Sequence, residues 1–200
     1  MKQAIVAQGS LRSVHMELDS ELELKVPGSE RSSAVSYQGD YEKPDRWLLK
    51  IRSSGAKSEV IILGDRTFVK LPGSDSWTEK KGDVLKSGSS ARGLVSSKYL
   101  ESASDVQLVD RKGDSYHLKF SLDMSRFAKS FNPAGMDPSV FKGKKATMEV
   151  WVLKDSLRIR KATMSYTGDL PEVAGSRLAM TMEVDFSEFN HPVSIEAPTP

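Results

Sequence analysis

The sequence contains no cysteine among its 200 residues. Disulfides, thiolate metal sites and cysteine nucleophiles are therefore excluded, although this absence does not fix the cellular compartment. No run of apolar residues approaches the ~18 needed to cross a bilayer. Lysine and arginine form no block, and the formal net charge is only +2. Binding to nucleic-acid phosphates is therefore not predicted.

Residues for catalysis and metal binding are also scarce. The histidines number three, and His15 and His117 fall on the polar faces of predicted strands, whereas His191 follows the last predicted strand. We interpret them as solvated surface residues. The sequence has no P-loop, G-x-S-x-G, G-x-G-x-x-G or H-E-x-x-H motif. We predict no catalytic residue, no metal site and no enzymatic activity. An enzyme of unrecognised type would need a polar cluster on an apolar face, which the alternation does not indicate.

The strongest positive signal is the stretch Ser13–Val26, which reads SVHMELDSELELKV. Its even positions are apolar except at Ser20, and its odd positions from His15 onwards are charged or histidine. A period of two over this length predicts a strand with one dry face and one wet face. At about 3.3 Å per residue it would run roughly 45 Å, so it needs a large antiparallel sheet around it.

Shorter alternating runs and turn residues complete a meander. We predict helices over residues 3–12 and 89–102, and a helical turn at 126–131. Further strands are predicted at 33–42, 47–51, 59–63, 67–71, 105–109, 114–124, 145–153, 157–166 and 177–186. The tail from residue 191 should be extended. The fold class is therefore α+β, with one antiparallel sheet of about ten strands that curls around its helices, in a single domain spanning residues 1–200.

Two groups of apolar residues leave their role open. Six methionines fall in predicted strands, where they fill an ordinary core or line a surface for variable apolar ligands. They are Met16, Met124, Met148, Met164, Met180 and Met182. The segment 126–141, predicted as mostly irregular, also carries apolar side chains that form either a lid, mouth or docking surface, or a satellite cluster beneath the loop.

Three stretches carry a resemblance to a known family. Residues 184–198 read VDFSEFNHPVSIEAP, residues 69–78 lead from a hairpin into Trp77, and residues 150–161 form paired late strands. Together with the order of elements along nearly the whole chain, they resemble the LolA-like bacterial lipoproteins, most closely the LppX/LprG branch. None of these motifs is catalytic.

The resemblance implies a strongly curved half-barrel wrapped over a few helices, with an apolar cavity between sheet and helices. It also implies a carrier that binds a lipid, glycolipid or acylated lipoprotein. We expect no cofactor other than a bound lipid or fatty acid, and a monomer. We further expect an exported protein of the cell envelope, in the periplasm or on the outer face of the cytoplasmic membrane. It would meet the membrane surface peripherally or through a lipid anchor, whose cysteine and signal peptide this sequence lacks.

Strand alternation then selects the residues that would line the cavity and its mouth. The predicted lipid-cavity lining consists of Met16, Leu18, Leu22, Leu118, Phe120, Leu122, Met148, Val150, Met180 and Met182. The predicted mouth or lid consists of Phe127, Phe131, Met136, Val140 and Phe141. The function hypothesis is non-catalytic lipid or acylated-lipoprotein transport. The alternative is an envelope protein-interaction or sensor module with a closed apolar core.

Overall fold

The structure, a computed structural model, describes residues 1–81, 95, 97–130, 137–170 and 174–198. Within these residues, eleven strands form one antiparallel sheet. They are β1 (Ser13–Val26), β2 (Ser29–Glu42), β3 (Arg46–Ser53), β4 (Ala56–Leu63), β5 (Arg66–Lys70), β6 (Thr78–Lys81), β7 (Ser104–Asp110), β8 (Ser115–Asp123), β9 (Lys145–Leu153), β10 (Ile159–Asp169) and β11 (Arg177–Ser187).

The sheet is built from two meanders that meet at its centre. The strand order is β6-β5-β4-β3-β2-β1-β11-β10-β9-β8-β7, so the long strand β1 lies between β2 and β11. The sheet is curved and open rather than closed into a barrel. Two strand glycines favour this curvature, because a Cβ at Gly39 would collide with the Leu48 carbonyl and one at Gly168 would collide with the Tyr166 hydroxyl. The half-barrel prediction is therefore confirmed.

The alternation of β1 is confirmed residue by residue. Its bounds are those predicted, and Val14, Met16 and Leu18 are at most 1% exposed. Ser20, the single polar residue of the dry face, is also buried. The odd-numbered positions from Glu17 onwards are exposed. We call the face that carries the buried residues concave, because the helices pack on it, and the other face convex.

Short helices cover the concave face. They are α1 (Lys2–Gly9), α2 (Met124–Ser130), and the 3-10 helices Lys98–Ser102 and Pro138–Phe141. The Asp123 carboxylate begins α2 by accepting hydrogen bonds from the amides of Ser125 and Arg126 at 2.9 and 3.1 Å. This cap explains why β8 ends one residue before the predicted strand. Most of the predicted helix at 89–102 lies outside the described residues, and its last five residues form a 3-10 helix.

The described helices include none that is long and apolar enough to cross a bilayer.

Apolar side chains are buried on both faces, but unequally. One large cluster fills the concave side, whereas Ile61, Phe68 and Ile195 form a small cluster on the convex side. Ile195 belongs to the C-terminal tail, which is extended as predicted and crosses back over the sheet. The tail starts from a fixed point, because the Asn190 amide donates to the Ser13 carbonyl at 2.8 Å.

The first meander is longer than the sequence predicts. Strand β6 was not predicted, because its sequence TEKK has neither alternation nor apolar residues. It forms by pairing with β5, and the Arg66 guanidinium lies 2.8 Å from the Glu79 carboxylate across that pair. Strand β2 begins at Ser29 rather than at residue 33, because the long partner β1 pairs with its polar start.

Candidate functional site: the concave face

The ten predicted lining residues all lie on the concave face of one sheet. They come from two pairs of adjacent strands, β1 with β11 and β8 with β9, and β10 lies between the two pairs. Eight of them are at most 4% exposed, and Leu22 and Leu118 are partly buried. All ten belong to the one large apolar cluster. Whether a ligand occupies part of this cluster stays a prediction.

A row of methionines crosses the middle of this face. Met164 on β10 pairs with Met182 on β11 and with Met148 on β9, so three thioethers lie side by side across three strands. Met180 lies two residues before Met182 and shares its face of β11. Met124, at the start of α2, is fully buried in the same cluster. Methionine is unbranched and polarisable, so this row can repack around apolar groups of different shape.

The described residues of the predicted mouth lie inside the fold. Phe127 and Phe141 are 0% and 2% exposed, and Val140 is partly buried. Each phenylalanine meets a tyrosine edge-on, Phe127 with Tyr99 at 5.6 Å and Phe141 with Tyr166 at 5.7 Å between ring centroids. These two side chains therefore cover the concave face from above. The other two predicted mouth residues, Phe131 and Met136, lie outside the described residues.

The interior also contains polar atoms that the sequence reasoning missed. The Tyr166 hydroxyl, the Trp47 indole Nε1 and the Gln8 side-chain nitrogen are buried without a hydrogen-bond partner in the described part of the chain. Gln8 uses its oxygen to accept from the Ile159 amide at 3.2 Å. An unpaired buried donor costs about 1–3 kcal/mol, so each of these groups requires an explanation.

Tyr166 has the clearest position among these donors. It lies on the concave face of β10 beside Met180, and its ring lies over Gly168 on the same strand. Burial, together with the Asp169 carboxylate, raises the pKa of the Tyr166 phenol, so the group stays a protonated donor. The sequence indicates the position of Tyr166 on this face, because Tyr166 continues the alternation of Ala162 and Met164, but it does not indicate that the hydroxyl lacks a partner.

The convex face is polar, and its histidines are bonded rather than freely solvated. His15 Nδ1 lies 2.7 Å from the Asp40 carboxylate, and His117 Nε2 lies 2.7 Å from the Glu149 carboxylate. The His117 ring also stacks on Trp151 at 4.3 Å. Among the described residues, no three histidine, aspartate or glutamate side chains are arranged to hold a metal ion.

Carboxylates crowd the centre of the convex face. Glu17 stands opposite Asp185, and Asp19 stands opposite Glu183, across the β1–β11 pair. The Lys161 ammonium relieves this crowding, at 2.7 Å from Glu183 and 4.0 Å from Asp185. Burial nevertheless raises the pKa of the Asp185 carboxyl, against the opposing effect of Lys161 and with a further rise from Glu183. Such a surface favours water over an apolar ligand.

No protein-family model and no curated protein matches the chain. Solved structures resemble it at low identity. A LolA superfamily protein from Nitrosomonas europaea is 12% identical, with 94% of this chain and 90% of that chain covered and a TM-score of 0.34. An outer membrane lipoprotein-sorting protein domain from Vibrio parahaemolyticus is 12% identical, with 96% and 92% covered and a TM-score of 0.31.

The MucA/MucB complex of Pseudomonas aeruginosa also contains a similar chain. It is 12% identical, with 98% of this chain and 59% of that chain covered and a TM-score of 0.32. The structural neighbours therefore include LolA superfamily proteins and a chain from a protein complex. At these TM-scores the likenesses support no statement about function.

Proposed function

We propose that the concave face binds an acyl chain, and that the protein is a non-catalytic carrier of a lipid, glycolipid or acylated lipoprotein in the bacterial cell envelope. The observation that carries this proposal is the methionine row formed by Met148, Met164 and Met182. A rigid core is usually built from side chains with fewer rotamers, whereas adjacent methionines suit a wall that must adapt to its ligand.

Binding of an acyl chain requires only an apolar space from which water is excluded. Each buried methylene gains about 0.8 kcal/mol on leaving water, so an acyl chain of about 14 carbons gains on the order of 10 kcal/mol before ordering costs. Because the lining residues are already buried, the ligand would enter by moving the covering helices away from the sheet. The unpaired Tyr166 hydroxyl would then donate to an ester or carboxyl oxygen of that ligand.

The envelope role, the exported state and the LppX/LprG branch belong to the same proposal. They are supported by residues 184–198, whose Phe-Ser-acid-aromatic and Pro-Val elements resemble that branch. In this proposal the protein works in the periplasm or on the outer face of the cytoplasmic membrane, as a monomer that meets the membrane surface.

A matched pair of substitutions tests the proposal. Ala162 is fully buried on the concave face between Val150 and Val184, whereas Ala179 lies on the convex face opposite Glu23. Ala162→Leu should occupy space that the ligand needs and lower the affinity for a fluorescent fatty acid about tenfold, whereas Ala179→Leu should leave binding unchanged.

Tyr166→Phe provides a second readout. It should weaken binding of a fatty acid about three- to tenfold. It should leave binding of an alkane of equal length unchanged, because only the fatty acid can accept the hydrogen bond. Equal effects on both ligands would contradict the role of the hydroxyl. Native mass spectrometry of protein purified from a lipid-containing host, followed by organic extraction, would name the ligand class.

A protein-interaction or sensor module with a closed core is the second candidate. The burial of Phe127 and Phe141 favours it, because a filled interior leaves no ready space. In that case no fatty acid would be taken up, the purified protein would carry none, and Ala162→Leu would overpack the core at a cost of about 1–3 kcal/mol.

A further inference from the structure

The two edges of the sheet differ in what they expose. Edge strand β6 has only four residues, and its sequence TEKK is charged. Edge strand β7 carries three large aliphatic side chains at neighbouring positions, Val106, Leu108 and Val109, which are 46%, 44% and 50% exposed. Two other large apolar side chains are exposed among the described residues. Val6 lies in α1, and Leu71 lies just beyond β5.

Edge strand β7 is too irregular to be a good template for another strand. Its pairing with β8 passes from Ser104 to Gln107, and again from Leu108 to Asp110, with an extra residue each time. Asp105, inside the first irregularity, has a left-handed φ of 58°. Bulges of this kind bend an edge and interrupt its row of free backbone groups, which discourages strand addition. The exposed aliphatic side chains therefore favour a partner that needs no backbone register.

The exposed strip is continuous with the concave face. Leu108 pairs with Leu118 on β8, which pairs with Val150 on β9. Exposure falls along this line, because Leu108 is exposed, Leu118 is partly buried and Val150 is fully buried. An apolar path without a polar interruption thus runs from the β7 edge into the interior.

Two of the acidic groups near this edge lie beside cations. Asp105 lies 3.7 Å from the Lys145 ammonium, and Asp114 lies 3.2 Å from the Arg160 guanidinium. Asp110 accepts a hydrogen bond from the Lys112 amide at 3.1 Å, and its other oxygen lies 3.6 Å from His117.

The two cations that follow β7, Arg111 and Lys112, are exposed. Among the described residues neither side chain has a carboxylate within ion-pair distance. The hydrogen bond from the Lys112 amide and, more weakly, the Lys112 charge lower the pKa of the Asp110 carboxyl. The Arg111 carbonyl accepts from the Lys154 ammonium at 2.7 Å, which fixes the turn that carries both cations beside the aliphatic strip.

We propose that the β7 edge docks on an anionic bilayer surface, with Val106, Leu108 and Val109 in the interface and Arg111 and Lys112 at the headgroups. A bilayer surface suits this edge, since it accepts aliphatic side chains without backbone register and its anionic headgroups attract exposed cations. The proposal rests on the proposed function, whose membrane contact it assigns to the β7 edge. It is tested separately from the binding of an acyl ligand.

The test is co-flotation with vesicles of phosphatidylcholine, with and without about 30% phosphatidylglycerol, at low salt and at about 1 M salt. The wild-type chain should float with the anionic vesicles at low salt only. The double variants Leu108→Ser/Val109→Ser and Arg111→Gln/Lys112→Gln should each lower the partition coefficient about tenfold or more.

Matched control variants distinguish an effect of the β7 edge from a general effect of removing exposed apolar or cationic side chains. Val6→Ser/Leu71→Ser removes exposed apolar side chains elsewhere, and Arg52→Gln/Lys57→Gln removes two cations that stand opposite each other on β3 and β4. Both controls should change the partition coefficient less than about twofold. Absence of binding to anionic vesicles at low salt, or equal losses in the controls, would overturn the proposal.

Two further measurements distinguish the other outcomes. Sedimentation equilibrium without lipid should give a monomer, and a dimer abolished by Leu108→Ser/Val109→Ser would assign the edge to a second copy instead. Uptake of a soluble fluorescent fatty acid without vesicles should be unchanged in the edge variants. Vesicle binding without such uptake would overturn the carrier function and leave the docking edge standing.

Discussion

The concave and convex faces consist of alternate residues of the same strands, yet different forces act on them. On β1, Met16 is fully buried among apolar neighbours, whereas the next residue, Glu17, is exposed and stands opposite Asp185. Like charges directly opposite each other in a sheet cost up to about 1 kcal/mol, whereas a buried methionine contributes about 1.5–3 kcal/mol.

The two faces therefore contribute differently to the free energy of folding. The concave face provides most of the free energy of folding, so it must keep its volume but can vary in shape. The convex face contributes little by ion pairing, and the apolar cluster on it that the C-terminal tail covers is small. Substitutions of the same kind on the two faces should therefore have different effects.

The largest contrast is expected between two buried phenylalanines. Phe127→Ala opens a cavity in the large concave cluster and should lower the free energy of unfolding by about 4 kcal/mol. Phe68→Ala affects the small convex cluster, where the tail can close over the space, and should cost about 3 kcal/mol at most. Urea unfolding of both variants measures the difference, and a larger loss for Phe68→Ala would reverse the comparison.

The tail offers a smaller effect on the convex face alone. Ile195 is 3% exposed, and Ile195→Ala should lower the free energy of unfolding by about 2 kcal/mol. It should also make residues beyond 190 sensitive to protease, because the remaining tail contacts are few. Val193→Ala is the control, since Val193 is only partly buried and should cost less than half as much. A tail that stays protected in Ile195→Ala would show that its polar contacts hold it.

The cap of α2 connects a convex carboxylate to the cover of the concave face. Asp123→Ala should cost about 1 kcal/mol near neutral pH, and Asp123→Asn should cost little, because asparagine also caps. Hydrogen bonds from Ser125 hold the pKa of the Asp123 carboxyl below its usual value. Its stabilising effect is therefore present above the unfolded-state pKa and disappears as the pH falls through the lowered pKa.

Thermal unfolding across this acidic range checks the cap. The wild-type chain and Asp123→Ala should differ near neutral pH and converge once the pH is below the lowered pKa of Asp123. A difference that persists unchanged in acid would mean that the carboxylate charge is not what stabilises the helix start.

The smallest effect is expected at the crowded centre of the convex face. Because burial raises the pKa of Asp185, its charged form is disfavoured in the fold, and stability decreases as the pH rises through that pKa. Asp185→Asn should therefore raise the melting temperature slightly near neutral pH and leave it unchanged in acid. Glu21→Gln is the control, because Glu21 faces Thr181 rather than a carboxylate. A lower melting temperature for Asp185→Asn would mean that its attraction to Lys161 dominates.

Where one face is dry and the other wet, the sequence predicts the structure closely. The bounds of β1 and β9 were predicted to the residue, because alternation runs the length of β9 and is broken in β1 only at Ser20. Strand β6 was missed because its pairing depends on β5 rather than on its own composition. The cap at Asp123 was missed because an aspartate that ends one strand and begins a helix fits either element.

The candidate site was predictable as a face but not as a cavity. Alternation placed all ten lining residues together, since residues two apart on a strand share a face. It could not tell whether the space above them is filled, because that depends on how the segment around Phe127 packs. The unpaired Tyr166 hydroxyl was also beyond reach, since a hydrogen-bond partner is a property of the assembled interior.

The position of β1 has a consequence for how the chain is made. One side of β1 pairs with β2, its immediate successor, but the other side pairs with β11, the last strand of the sheet to leave the ribosome. The first meander can close early, whereas β1 keeps an open hydrogen-bonding side until β11 has been synthesised. Contacts between such distant parts of a chain slow folding. Until β11 is made, the nascent chain would expose one hydrogen-bonding side of its central strand to any other strand nearby, so the interval before β11 is an aggregation-prone stage.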